Sequence, residues 1–562
     1  MPIHDAAKKV PLLFRAQIDG RCQPHRIIKG QKSDAIQWAD EWVDKADSDV
    51  REFGAEVKTR AFTLSWRFVT NGGQDDGTIR PVIGAKGLPF YPGSSMKGVF
   101  RRACTPQQAE RYCGKSLSGG DYEPGILRFH GGYPADDNWK QNLVDIVHPQ
   151  QDWQVKNDDK DKGAFAQISL YKPKLRFGIS SSIPLADEEW KTIWEIWKQA
   201  LSTGIGCRVC AGYGQPDKFL GGDILYRTQL RGQGQAAKLL DGTGEFRPNI
   251  FRASLRGHAL RLFGGMTDEN SANRLVDELF GGVQGQGTVG LLSMNFRDSS
   301  LILSSFSRGA FAQPTYEVEG ELSWLLTQKL PSTQQQEALA KLVKALTRFA
   351  MLLGGFGKSW RRADHRLFFP EYYEGANEGR KPLIGCHWQW SGERSLRFDV
   401  PVRKLDSVGS FIEEVRQIAR EWIQLRGIIP NSAQCTPWRE AWHPDNVQVW
   451  GRLANDAEDC EAIRWLHSPY REAIPTAKIA EGSIYCSHIT GQVGQVGRLW
   501  HRMFPVVRLV KIPHEPDSKP IPKQTHQYFE LLTFFSDRSP KSADFLNFLQ
   551  SQPNSFQQLW SH

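Results

Sequence analysis

Cysteine, methionine and long apolar runs are all scarce here. The 562 residues include nine cysteines and six methionines, and no apolar stretch approaches twenty residues. With a mean hydropathy of -0.47, that excludes a membrane-spanning helix as an organising element. The amino terminus, MPIHDAAKKVPLLF, lacks an apolar core followed by a small-residue cleavage site, so the reading is a cytoplasmic protein without a membrane partner. The cysteines are scattered, with one close pair, Cys207 and Cys210. A structural zinc site needs a second such pair, so these two read as free thiols.

Several catalytic signatures are missing as well. No G-x-S-x-G and no H-E-x-x-H occurs. A P-loop requires glycine five residues before its Gly-Lys-Ser; Leu352 stands there in LLGGFGKS and Ala109 before CGKS. Nucleotide-triphosphate chemistry of that kind is thereby excluded.

What is present describes a large globular chain, 40% hydrophobic and 11% aromatic, long enough for two or more cores. Its net charge of +9 is modest for the length. Such an excess points to a polyanion only where it is focused beside backbone donors.

One place where it is focused is GLPFYPGSSMKGVFRR, residues 87–102. Pro92 and Gly93 end an extended run, Ser94 or Ser95 is placed to cap a helix, and Lys97, Arg101 and Arg102 follow. Helix starts favour acidic side chains because the dipole is positive there, so a basic start suggests a bound anion. A capped helix with solvated basic residues gives the same pattern.

The pattern occurs twice. SSMKGVFRR at 94–102 is echoed by ASLRGHALR at 253–261, each preceded by a β-prone segment, RAFTLSWRFVTN and DILYRTQLRG. Each is followed by an amphipathic helix running into glycines. The first carries Trp190, Ile193, Trp194 and Trp197 at helical spacing; the second carries Leu339, Leu342, Val343, Leu346 and Phe349. Ser95 precedes Gly206 by 111 residues and Ser254 precedes Gly355 by 101. Two landmarks in matching order and similar spacing predict a duplicated domain.

Serine hydroxyls, helix amides and the cations Lys97 and Arg256 suit a phosphodiester. Glycines at 204, 206, 355 and 357 would let the backbone approach a ligand, with Lys358, Arg361 and Arg362 beside them and Trp360 free to stack. A helix C-cap accounts for the first of these glycines equally well. The acidic candidates are Asp75 and Asp76 on a glycine-rich loop, and Asp241 and Glu245 in the corresponding place of the second copy. A carboxylate near a phosphate can hold a divalent metal or deprotonate a 2′-hydroxyl; a turn aspartate before glycine reads the same way. The stretch VKNDDKDKG near 160 reads as a solvated loop. The tail combines the strand-like CHWQWSGERSLRFDVPV and RMFPVVRLV with a helical SVGSFIEEVRQIAREWIQL.

Pro92 to Arg101 resembles, almost letter for letter, the PGSSLKGxxR hallmark of the RAMP superfamily of CRISPR proteins. GIGCRVCAGYG resembles that family's glycine-rich loop, and LVDIVHPQ at 143–150 is similar to a segment between those landmarks. RASLRGHALR and GGFGKSWRR are looser matches, and QVGRLWHRMFP is a faint one. The resemblance covers residues 10–370 well and is closest to the fused double-backbone subunit of type III, particularly III-D, effector complexes.

That resemblance implies an α+β fold with two RRM-like (ferredoxin-like) RAMP domains in tandem, at 1–222 and 223–380. Residues 381–562 would be a C-terminal extension or an insertion of the second domain. It implies partners: crRNA, complementary target RNA and other type III effector subunits. Guide RNA would be held by Ser94, Ser95, Lys97, Arg101, Gly204, Gly206, Ser254, Arg256, Gly355, Gly357, Lys358, Arg361 and Arg362, and a β-hairpin thumb would interrupt the duplex. It also implies target cleavage at Asp75, Asp76 or Asp241 with a divalent metal such as Mg2+ on Asp76. In active relatives the aspartate lies immediately before a PVI-like run, whereas Ile79 and Arg80 stand there in this chain. The alternatives are a stand-alone, metal-independent CRISPR RNA-processing endoribonuclease using His365, and a non-catalytic RNA-binding scaffold.

Overall fold

The computed structural model describes residues 34–47, 51–70, 72, 74–75, 78–117, 120–147, 151–156, 165–218, 221–282, 288–308, 311–357, 361–362, 386–463, 489, 491–492, 495–511, 519–551 and 555–561. It is a mixed α+β structure with several small antiparallel sheets. Among the described residues no helix is long and apolar enough to cross a membrane.

The first block contains β1 (Lys58–Thr63), α1 (Gly93–Ala103), β2 (Leu127–Pro134), β3 (Lys174–Ser181) and α2 (Asp187–Ser202). Its sheet runs β1–β3–β2, all antiparallel. Leu175, Phe177 and Ile179 alternate inward on β3, as a half-buried strand requires. The apolar stripe of α2 closes over them, with the Phe177 and Trp197 rings 4.9 Å apart. Asp187, Glu188 and Glu189 in the first turn of α2 complement its dipole. On the free side of β1 the chain returns at 215–217, where the Asp217 amide donates to the Thr63 carbonyl and Pro216 bridges Leu64.

The second block contains β4 (Ile224–Gln235), α3 (Asn249–Gly264), β5 (Leu292–Arg308), β6 (Phe311–Leu326), α4 (Thr333–Phe349) and β7 (His387–Trp390). Its strands lie in the order β5–β6–β4–β7. The two amphipathic helices expected from periodicity are α2 and α4; all five stripe residues of α4 are buried. The strand-like tail segment beginning at Cys386 holds its extended form only to Trp390. Beyond Gly392, whose φ of 72° turns the chain, Glu393–Phe398 is helical.

The tail supplies a third sheet. After α5 (Ser407–Leu425) come β8 (Val447–Ala454), β9 (Leu499–Val510), β10 (Ile521–Phe535), α6 (Pro540–Gln550) and β11 (Gln557–Trp560). Their order, β9–β10–β8–β11, is that of the second block with each strand in the equivalent place. Arg361–Arg362 adds to the far edge, parallel to β9. A single apolar core runs from the second block into the tail and includes Phe349, Trp422, Trp442 and Trp560.

Candidate nucleic-acid interface

α1 begins directly after Pro92, and neither serine caps it. The expected Ser94 or Ser95 cap is absent because the helix starts one residue earlier, at Gly93. That glycine sits where a Cβ would come 2.0 Å from the Phe129 carbonyl oxygen of β2, so the Pro-Gly pair fixes how the helix docks on its sheet. Met96, Val99 and Phe100 point into the core. Ser94, Ser95, Lys97, Gly98, Arg101 and Arg102 are all exposed, on the face that a 3.6-residue period leaves outward. Arg101 is tethered, donating to the Gly114 carbonyl at 2.6 Å. A Cβ at Gly98 would meet nothing within 4 Å. The outer face of the helix is therefore basic and open.

The glycine-rich loop meets this helix. Tyr91, just ahead of α1 and 3% exposed, hydrogen-bonds the Gly206 backbone; burial pushes its phenol well up, opposed by nearby Arg102. Gly206 is at the surface and Gly204 beneath it. Their φ angles of 79° and 85° are left-handed, and a Cβ at Gly206 would lie 2.4 Å from the Val69 carbonyl oxygen. These glycines allow the loop to fold against the short strand Arg67–Phe68. Cys207 and Cys210 on the loop are free thiols.

The second copy is built differently. α3 starts at Asn249, so Ser254 lies in the second turn instead of at a helix start. It is 2% exposed, and its hydroxyl donates to the Gly355 carbonyl at 3.0 Å. The landmark helix again touches its glycine loop, but through a buried contact. Arg256 pairs with Asp152 and lies 3.7 Å from Asp277, while Arg261 is buried against Glu440 at 2.5 Å. Ser254 and Arg256, expected to grip a phosphate, thus have tertiary partners in Gly355 and Asp152 that are invisible as sequence neighbours. Gly355 and Gly357 have φ of 65° and 95°, and a Cβ at Gly357 would lie 2.8 Å from Cys386 Sγ. Arg361 and Arg362 are an edge strand by their backbone. Lys358, Trp360 and His365 lie outside the described residues, as does most of VKNDDKDKG.

Of the acidic candidates, Asp75 forms a two-residue strand paired with Thr78, and Asp76 lies outside the described residues. Asp241 Oδ1 accepts from the Thr243 amide at 2.9 Å and hydroxyl at 2.8 Å, which is a turn aspartate. Among the described residues the one group of three candidate metal ligands is elsewhere, at Cys460, His501 and Glu530.

Glu245 is used structurally. It receives Arg67 Nη2 at 2.6 Å and Trp66 Nε1 at 3.2 Å. Beside it Arg247 reaches Asp145 at 2.6 Å, and Tyr213 and Gln167 donate to Asp145 at 2.7 and 2.6 Å. Burial alone would raise the Asp145 carboxyl; Arg247, Arg67 and these hydrogen bonds outweigh it and hold it below the usual range. Two arginines and two carboxylates make the network neutral, as burial demands. It joins the first block to the second. Sequence reading missed it because its members lie up to 180 residues apart; only Arg67, set within the largely apolar LSWRFV, hinted at burial.

No protein-family model matches the chain, and no curated protein does. Among solved structures it is similar to a chain described as "Cryo-EM structure of the Type III-B Cmr-beta bound to cognate target RNA". The identity is 19% and the TM-score 0.24, with 28% of this chain and 57% of that one covered. The chain thus spans little more than half of that protein's length, and an overlap of this size carries no functional weight by itself.

Proposed function

We propose that this chain is a guide-RNA-binding backbone subunit of a type III CRISPR effector complex. One observation carries the reading: on the PGSSMKG segment Ser94, Ser95, Lys97 and Arg102 are all exposed on one face of α1, beside surface Gly206. A sugar–phosphate strand crossing that face would meet hydroxyl donors, two cations and an unobstructed glycine. The strand orders β5–β6–β4–β7 and β9–β10–β8–β11, and β1–β3–β2 with 215–217 beside β1, are those of ferredoxin-like βαββαβ sheets and support RRM-like units. The tail extends that reading to a third unit.

In this reading the first unit makes the direct guide contacts, and other effector subunits share the RNA along the complex. Cleavage of target RNA is assigned to Asp75 and Asp76, with Mg2+ as the assisting ion. The second unit does not cut, which the engagement of Asp241 and Glu245 favours. The test is to isolate the complex with its RNA and supply a complementary target. Asp75→Ala with Asp76→Ala should abolish one Mg2+-dependent cut and leave guide content unchanged. Undiminished cutting removes the catalytic part; absence of any bound RNA removes the whole reading.

A further inference from the structure

Three potential ligands that sequence spacing does not connect meet inside the third sheet. Cys460 follows β8, His501 is on β9 and Glu530 on β10, and all three are buried. Cys460 Sγ lies 3.0 Å from Glu530 Oε1 and 3.5 Å from His501 Nε2; Nε2 and Oε1 are 3.2 Å apart. We propose that these residues form a binding site for one zinc-class divalent ion that fastens the chain after β8 onto β9 and β10.

The geometry is that of one face of a tetrahedron. Zinc bonds of about 2.3 Å to sulphur and about 2.0–2.2 Å to nitrogen and oxygen give edges of roughly 3.3–3.6 Å. The Sγ–Nε2 edge already has that length; the Nε2–Oε1 edge needs to open by about 0.2 Å and the Sγ–Oε1 edge by roughly half an ångström. One thiolate, one imidazole and one carboxylate suit zinc better than Mg2+ or Ca2+, which prefer oxygen alone. The surroundings orient the ligands from outside. Glu530 Oε2 accepts from Arg452 Nε at 2.7 Å and from the Glu461 amide at 3.1 Å, while the Ala462 amide reaches Oε1 at 2.8 Å. Such outer contacts fix a ligating carboxylate. His501 Nδ1 has no hydrogen-bond partner among the described residues, and the ring's contacts with Cys460 and Glu530 are both made at Nε2.

The protons and charges balance. On binding, the Cys460 thiol proton leaves to solvent and the imidazole carries its proton on Nδ1, so that Nε2 offers a lone pair. The ion and Arg452 contribute three positive charges. Glu530, the thiolate and Asp459, which bonds Arg452 at 2.5 Å, contribute three negative ones, with the more exposed Glu461 4.0 Å from Arg452 at the margin. Met503 and Tyr528, which pack around Cys460, also line a cleft of about 440 Å3 between this sheet and β4, β6 and β7.

The full chain, purified without chelator, should contain zinc, and Cys460→Ser should contain one equivalent less. Metal-free protein titrated with Co2+ should develop a near-ultraviolet thiolate-to-metal band, absent in Cys460→Ser and shifted in His501→Gln. If the variants fail to fold, X-ray absorption at the zinc edge of the wild-type protein decides: sulphur together with lighter nitrogen or oxygen scatterers is expected. Zinc content unchanged in a folded Cys460→Ser, no Co2+ band in the wild type, or a shell without sulphur each overturns the site.

Discussion

The Arg67 guanidinium and the Glu245 carboxylate meet at 2.6 Å across 178 residues of chain, the arginine fully buried and the glutamate 9% exposed. Asp145 and Arg247 complete the network, so that buried charge helps to hold the first block to the second. Removing one member strands the others without solvent. Arg67→Met should cost about 3–5 kcal/mol, the penalty for an orphaned buried charge. Urea unfolding checks this, and a loss below about 1 kcal/mol would mean water reaches the network.

The same network sets an acid limit. Asp145 is held below its ordinary value in the folded protein, so its contribution is present above the unfolded value near 3.9 and is lost as pH falls through the lower folded one. Stability should drop as the solution is taken below about pH 4. Asp145→Asn, measured relative to its own neutral-pH stability, should fall less steeply; an identical slope would show that Asp145 titrates normally.

Lys97 and Arg102 are exposed, whereas Arg256 is committed to Asp152. Lys97→Ala with Arg102→Ala should weaken RNA binding and lower the salt slope by about 0.7 for each lost single-strand phosphate contact. Arg256→Ala should lower stability and leave that slope alone. A slope moved by Arg256→Ala and untouched by the double variant would place the RNA elsewhere.

Two glycines separate folding from recognition. Gly214 has φ of 65°, and a Cβ there would lie 1.9 Å from the Ile205 carbonyl oxygen; Gly214→Ala should destabilise by about 1–3 kcal/mol. Gly98 is helical and faces open space, so Gly98→Ala should stabilise the fold by about 0.5–1 kcal/mol. The same added methyl group stands on the proposed RNA face and should reduce guide affinity. Thermal unfolding and filter binding of the two variants test both halves.

Local patterns in the sequence were sufficient for α2 and α4, whose apolar stripes repeat with the helical period, and for the exposed basic face of α1. The same letters in ASLRGHALR stand in a different setting, because exposure is decided by what packs on a helix. The partners of Ser254, Arg256 and Arg261 are Gly355, Asp152 and Glu440, none of them a sequence neighbour. The third sheet was hidden for a related reason. Its strands β8 and β9 are separated by a long intervening stretch, and strand order is a property of pairing that no local periodicity encodes.

Arg502, fully buried on β9, donates to the Met351 carbonyl at 3.0 Å and to that of Trp388. Those acceptors leave the ribosome well before their donor does. The second block therefore has these inner carbonyls satisfied only once β9, some 110 to 150 residues further along the chain, has been made and docked.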